Sequence, residues 1–136
     1  GNGVVMCLNE SDYDENFVCQ KPATDLGRDV RVWVLGGKTV ASILRVSDTD
    51  FRSNYCLGGR AEIYDLSKAE TQKVQKIIDL VTPLGAHYYG VDFLFDNGRM
   101  IFNELEDTVG ARMIYDKTDI DIIDMYIKYI KSKCLT

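Results

Sequence analysis

The sequence has 136 residues, enough for one domain with a buried core that needs no covalent staples. Its 46% hydrophobic and 27% charged residues are an ordinary globular mix. Sixteen Lys and Arg against 21 Asp and Glu leave a net charge of −5 and a pI near 4.8, so neither a nucleic-acid backbone nor an anionic lipid surface is an expected partner.

The chain opens on Gly1-Asn2-Gly3 without an initiating Met, as if cut from something longer. Val4 to Leu8 reads as a short strand-like run and Asn9 to Asn16 as acidic and turn-rich. Phe17 to Gln20 predicts a buried strand. Val30 to Leu35 alternates and is β-branched. Gly36-Gly37 then turns it into Thr39 to Val46, which together predict a hairpin. Ser47 to Arg60 is polar and longer than a simple connection, as functional loops often are. Ser67-Lys68-Ala69-Glu70 is a capping box ahead of a helix whose apolar face is Val74, Ile77, Ile78 and Val81. Pro83 and Gly85 should end it. Tyr89 to Phe95 and Met100 to Leu105 predict two strands around Asp96-Asn97-Gly98. Thr118 is the expected cap of a final helix, with Ile120, Ile123, Ile127 and Ile130 on its buried side. The order of elements predicts an α+β fold with a mainly antiparallel sheet.

Chemistry-bearing residues are few. Cys7, Cys19, Cys56 and Cys134 match no zinc or CxxC spacing, so free thiols in a reducing cytoplasm are expected. His87 is the single histidine. No basic start with an apolar stretch is seen, so a signal peptide is not expected, and no apolar run approaches the roughly 20 residues of a membrane helix.

The unusual residues are carboxylates. Asp92 interrupts an apolar strand. Glu104 and Glu106 alternate at the end of the next one, and Asp107 follows. A two-residue Asn97-Gly98 turn would pair Asp92 with Asn103 and put Glu104 on the opposite face. A three-residue loop with Gly98 in a bulge would set Asp92 diagonal to Glu104, and that loop is the expected one. Such oxygen ligands suit Mg²⁺ or Mn²⁺. The spacing is equally that of a solvated acidic strand end. Arg31 and Arg45 lie within apolar strands, where an anionic partner is required. Asn54 and Gly58-Gly59-Arg60 sit in the long loop, where two glycines let backbone N–H groups approach an anion.

Taken in order, these motifs resemble the ATP-grasp family, specifically its RimK-type and glutathione-synthetase-type ligases, across nearly the whole chain. Gly1 to Val5 resembles the end of the small lobe's glycine-rich loop. Gln20-Lys21-Pro22-Ala23 resembles the adenine hinge, followed by the GxDIR-like Gly27-Arg28-Asp29-Val30-Arg31. Thr39 to Arg45 is similar to the next family strand, and Phe51-Arg52-Ser53-Asn54 with Gly58-Gly59 to the RimK FRSN…GG pattern. Gly90-Val91-Asp92 and Asn103-Glu104-Leu105-Glu106 resemble the two metal-ligand strands, and Lys117 to Ile122 the last helix.

The resemblance implies a large lobe over 17–136, with 1–16 as a remnant of the small lobe. It implies a ligase that phosphorylates a small-molecule or peptide carboxylate with ATP and joins it to an amino-acid amine. Asp92, Glu104 and Glu106 would hold Mg²⁺ at the β- and γ-phosphates. Arg45 and Asn54 would steady the transferring phosphoryl group, and Arg31 would bind phosphate or substrate carboxylate. Gln20, Lys21, Ala23 and Asp29 would serve the nucleotide, through the Lys21 carbonyl and Ala23 N–H at the hinge. The chain departs from the family pattern at Glu106, usually Asn, at Leu57, usually basic, and at Lys21, usually acidic. Its 9–16 segment is short, and the small lobe's phosphate-binding Lys would lie ahead of Gly1, so low or no turnover is expected of this chain alone. Two other readings stand beside the ligase: a non-catalytic nucleotide-binding or assembly module, in which a homo-oligomer is possible, and a divalent-cation protein unrelated to ATP.

Overall fold

The structure is a computed structural model that describes residues 3–9, 12, 15–53 and 58–134. Five strands form one antiparallel sheet: β1 (Asp25–Leu35), β2 (Lys38–Val46), β3 (Arg60–Ile63), β4 (Tyr88–Asp96) and β5 (Arg99–Glu106). Their spatial order is β3-β2-β1-β4-β5, so β1 lies at the centre. Helix α1 (Lys68–Val81) joins β3 to β4 through a short 3₁₀ turn, Thr82–Leu84. Helices α2 (Arg112–Lys117) and α3 (Ile122–Cys134) follow β5.

Local chemistry accounts for the hairpins. Gly36 and Gly37 both take positive φ, 58° and 80°, as do Asn97 and Gly98 at 50° and 70°. Two consecutive left-handed residues match the twist of tight two-residue hairpins. Helix α1 starts with the expected capping box. Ser67 Oγ accepts from the Glu70 N–H, and the Glu70 carboxylate accepts from the Ser67 N–H at 2.8 Å.

Strand alternation divides the core. Val30, Val32, Val34, Val91, Phe93 and Phe95 face one side, where Val74 and Ile78 of α1 cover them. Trp33, Leu35 and Ile43 face the other, against Met113 and Ile114 of α2 and Ile122 of α3.

Four sequence expectations are corrected here. Val4 to Leu8 and Phe17 to Gln20 form no strand, and Phe17 and Val18 are exposed; neither run joins the five-strand ladder, and a short unpaired run is not held as a strand. Two elements are added: strand β3 lies within the region 60–63 at the end of the expected loop, and α2 precedes the final helix. Thr118 closes α2, donating its N–H to the Ile114 carbonyl at 2.8 Å. The cap of α3 is Asp121, whose carboxylate accepts from the Asp124 N–H at 3.0 Å. The buried side of α3 is correspondingly shifted: Ile122 is buried, Tyr129 packs beneath Gly36, and Ile123, Ile127 and Ile130 are exposed. Isoleucines in adjacent helix rows leave the face undecided until the helix docks.

Candidate functional site

Five charged residues lie on the second sheet face, where β-strand geometry would otherwise place apolar side chains. Register makes Arg45 of β2 the partner of Asp29 on β1, and Asp92 of β4 the partner of Arg31. Arg31 forks onto Asp92 with Nε–Oδ1 and Nη2–Oδ2 both at 2.7 Å. Arg45 forks onto Asp29, with Nε–Oδ1 at 2.7 Å, and its Nη2 also donates to Asp92 Oδ2 at 2.7 Å. Arg31 further meets the Glu106 carboxylate at the end of β5. The result is an alternating ladder, Asp29, Arg45, Asp92, Arg31, Glu106, whose first three members are almost fully buried.

Alternation is what permits such charges in the interior. Each buried carboxylate accepts bidentate, charge-assisted hydrogen bonds that offset its lost hydration. Burial pushes the Asp92 carboxyl up, but the Arg31 and Arg45 guanidiniums outweigh it and hold the group below its ordinary value. At Asp29 burial prevails over the Arg45 contact and the nearby Ser53 hydroxyl, and its pKa is raised. Burial works against the charge on Arg45, yet Asp29 and Asp92 raise its pKa and keep it a cation.

Glu104 reaches this face by a route that the sequence reading missed. The turn has two residues, with Asp96 paired to Arg99, rather than the expected three. That register would send Glu104 to the other face. A bulge restores it: Phe93 pairs with Phe102, and the next pair is Asp92 with Glu104, leaving Asn103 as the extra residue. Glu104 therefore stands directly opposite Asp92, exposed and without an ion pair among the described residues. Among those residues, no group of three acidic, His or Cys side chains is gathered as a metal cluster.

Beside the ladder, towards the sheet edge, lies a cleft of about 230 Å³. Its walls are Gln20, Lys21, Pro22 and Ala23 on one side and Leu94, Asp96, Ile101, Phe102 and Asn103 of the β4–β5 hairpin on the other. Asp29 is not among the lining residues, its carboxylate being committed to Arg45. A wider cavity of about 430 Å³ lies at the opposite edge, between β3 and α2. It is lined by Val46, Gly59, Arg60, Ala61, Glu62 and Lys117. Ala61 is the β3 partner of Arg45, so the ladder separates the two cavities.

The loop after β2 is tied back to this region. Gly27 donates its N–H to the Phe51 carbonyl at 2.8 Å and accepts from the Ser47 N–H at 2.7 Å. A Cβ on Gly27 would meet backbone oxygens at 2.7 and 2.8 Å, and its φ of +69° independently demands glycine. Arg52 forks onto Asp50 and holds that carboxyl down at about 2. Ser53, which follows, is buried. Asn54, the expected phosphoryl-steadying amide, lies outside the described residues, as do Gly1, Asn2, Cys56 and Leu57. Cys7, Cys19 and Cys134 are free thiols.

The sequence reading named the ladder's members and three hinge residues, but not the cleft's far wall. Leu94, Ile101 and Phe102 read as ordinary strand residues. Their signal was the two-residue Asn97-Gly98 turn, which sets Leu94 opposite Ile101.

Solved structures that share this architecture include two ligases. The ATP-grasp ligase PsnB, complexed with a phosphomimetic variant of its minimal precursor, Mg and ADP, superposes with a TM-score of 0.60 at 19% identity. The match covers 83% of this chain and 34% of that one. D-alanine–D-alanine ligase from Bacillus anthracis, complexed with ATP, gives 0.55 at 16% identity, covering 78% and 39%. The fold is therefore that of the ATP-grasp proteins. Within them, the chain belongs to the RimK-like ATP-grasp domain family, whose model matches residues 2–130. It is 35% identical over 106 residues to a probable alpha-L-glutamate ligase of Methanococcoides burtonii, covering 77% of this chain and 34% of that protein. It is 32% identical over 121 residues to the uncharacterized protein MG012 of Mycoplasma genitalium, covering 80% and 40%. The chain thus spans between 34% and 40% of the length of these curated relatives.

Proposed function

We propose that this chain supplies the nucleotide- and metal-binding part of an ATP-dependent carboxylate–amine ligase. The observation that carries this reading is the placement of the hinge cleft, at the β4–β5 edge, beside the carboxylate–arginine ladder that crosses the strands. Leu94, Ile101 and Phe102 offer apolar surface to a purine. The Lys21 carbonyl and Ala23 N–H offer one acceptor and one donor to its edge, and Pro22 lacks only an N–H that is not needed. Phosphates extending from the cleft would run toward Glu104, Asp92 and the two arginines.

The donor set at that end is chemically suited to Mg²⁺. It consists of carboxylate oxygens, with Glu104 directly across from Asp92. Mg²⁺ typically takes one or two protein carboxylates when phosphates complete its shell, so three gathered acidic groups are not required. Glu104 and Asp92 would hold the ion, with Glu106 at their side. When bound, the ion would neutralise charge on the nucleotide phosphates.

Phosphoryl transfer asks the protein for positioning and electrostatics. A substrate carboxylate oxygen attacks the γ-phosphorus, the bond to the β-bridging oxygen breaks, and an acyl phosphate and ADP result. An amine then attacks the acyl carbon, phosphate departs with the C–O bond pair, and the amine loses a proton to give the amide. Arg45, a permanent cation fixed by Asp29, would steady the transferring group, with Asn54 as the expected second donor. Arg31 is the expected contact for phosphate or substrate carboxylate. The β3–α2 cavity beyond Arg45 provides room for the carboxylate substrate.

Thermal unfolding with Mg²⁺, ATP, ADP, GTP, and ATP plus EDTA tests this reading. A ligand that binds only the native state at 100 times its dissociation constant adds roughly 2.7 kcal/mol. Mg-ATP and Mg-ADP should stabilise the protein, EDTA should remove the effect, and Glu104→Gln should abolish it. A response to Mg²⁺ alone, or full nucleotide stabilisation in Glu104→Gln, would defeat the assignment.

A further inference from the structure

The segment that forms one wall of the cleft has almost no fastening of its own. Residues 17–23 form no helix or strand and, among the described residues, make no hydrogen bond or ion pair. Phe17 and Val18 are exposed. Gln20 to Ala23 nevertheless bound the cleft together with Leu94 and Ile101.

The fastening lies just after them. The Thr24 N–H donates to Asp96 Oδ1 at 3.2 Å. Its hydroxyl accepts from the Asn97 N–H at 2.6 Å and donates to Asp25 Oδ1 at 3.1 Å. Asp25 Oδ2 accepts from the Gly98 N–H at 3.0 Å. Asn97 and Gly98 are the left-handed corner of the β4–β5 hairpin, whose N–H groups point outward from the turn. Thr24 and Asp25 take up both. β1 meets β4 here through an irregular register, Asp25 with Phe95 and then Asp29 with Leu94, so the strand ladder does not extend past this point to hold residues 20–23.

We infer that Thr24 is a positioning residue for the nucleotide cleft: it latches the hinge segment onto the hairpin turn, setting the gap between the Lys21–Ala23 backbone and the Leu94–Ile101 wall. This rests on the nucleotide reading above. The latch acts at the base end of the cleft and leaves the phosphate end, at Glu104 and Asp92, to other contacts.

The test compares Thr24→Val, which keeps size and β-branching but removes the hydroxyl, with Thr24→Ser, which keeps it. Calorimetric titration of the whole chain with Mg-ADP and with Mg-pyrophosphate separates the base end from the phosphate end. Exchange of the Asn97 and Gly98 amides, followed by NMR without ligand, reports the latch itself. Thr24→Val should weaken Mg-ADP about tenfold, the effect of losing one to two net hydrogen bonds. Mg-pyrophosphate binding should stay at the wild-type value, Thr24→Ser should restore ADP affinity to within about twofold, and Asn97 exchange should accelerate only in the Val variant. Unchanged Asn97 exchange in Thr24→Val overturns the latch, whether or not any nucleotide binds. Accelerated exchange with unchanged ADP affinity, or with ADP and pyrophosphate weakened alike, overturns its role in positioning. Failure of the wild-type protein to bind Mg-ADP overturns the nucleotide reading, and the positioning role with it.

Discussion

The two faces of the sheet solve the same burial problem in opposite ways. On the α1 face the fully buried cluster is hydrophobic, and Val30, Val32, Val34 and Phe93 need only shape to fit. On the other face the strands alternate from Trp33 and Ile43 into Arg31, Arg45, Asp29 and Asp92 within a few residues. The first face gains stability from burial itself, at roughly 25 cal/mol per Å². The second reaches at best a balance, because well-packed apolar residues are often as stable as a buried ion pair. Charges kept where apolar groups would hold the fold as well accord with the role proposed for this face.

Truncating each face should separate these two economies. Phe93→Ala should cost about 3–5 kcal/mol, the usual penalty for a large side chain in a tight core. Asp92→Ala should cost about 3 kcal/mol despite removing far fewer atoms, because it strips two guanidiniums of a shared anion. Urea unfolding gives both numbers; a loss of less than about 1 kcal/mol for Asp92→Ala would mean that the ladder is open to water.

The next effect lies where the ladder touches apolar packing. A Cβ on Gly90 would meet Val109 Cγ2 at 2.8 Å and Arg31 Cδ at 3.7 Å. Gly90→Ala should therefore destabilise by about 1–3 kcal/mol. Because Val109 must move and Arg31 lies against it, nucleotide affinity should fall as well, as titration would reveal. A stable Gly90→Ala protein with full affinity would show that Arg31 is not held by this packing.

The faces also differ in their response to acid. Asp92 titrates below its ordinary value in the folded state, so its stabilising contribution is complete above about pH 4. It is lost as pH falls through the depressed pKa. Asp29, with its raised pKa, acts with the opposite sign: its ionisation weakens the fold as pH rises through that value. Unfolding free energy measured from pH 7 down to pH 2 should show an acid loss in the wild type that is reduced in Asp92→Asn. The same loss in both would place its origin elsewhere, for example at the half-buried Asp50–Arg52 pair. The smallest expected effect is local to α1. Ser67→Ala removes half of the capping box and should cost about 1 kcal/mol, leaving ladder and cleft untouched.

Legibility followed locality. The Gly36-Gly37 hairpin, the capping box and the α1 face came from adjacent residues, and all stand in the structure. Phe17 to Gln20 looked like a strand because it is largely apolar, but it pairs with no strand of the sheet. The buried face of α3 was displaced by one position because its isoleucines occupy neighbouring rows. At the site, Asp92 and Glu104 were recognised as a pair, but the turn length that unites them was misjudged. The two-residue turn and the Asn103 bulge compensate, since each reverses the face of every residue that follows.

From its sequence alone, the protein's antiparallel hairpins, its capped helix and the order of its ATP-grasp motifs were determined, because turn chemistry and side-chain period act over a few residues. Tertiary structure alone decided which anion answers which arginine. Arg31 and Asp92 are separated by 61 positions and Arg45 and Asp92 by 47, so only strand register brings them together. It likewise decided that residues 20–23 bound a cleft with Leu94 and Ile101, because the residue that anchors them, Thr24, is held by a turn formed 73 positions further on.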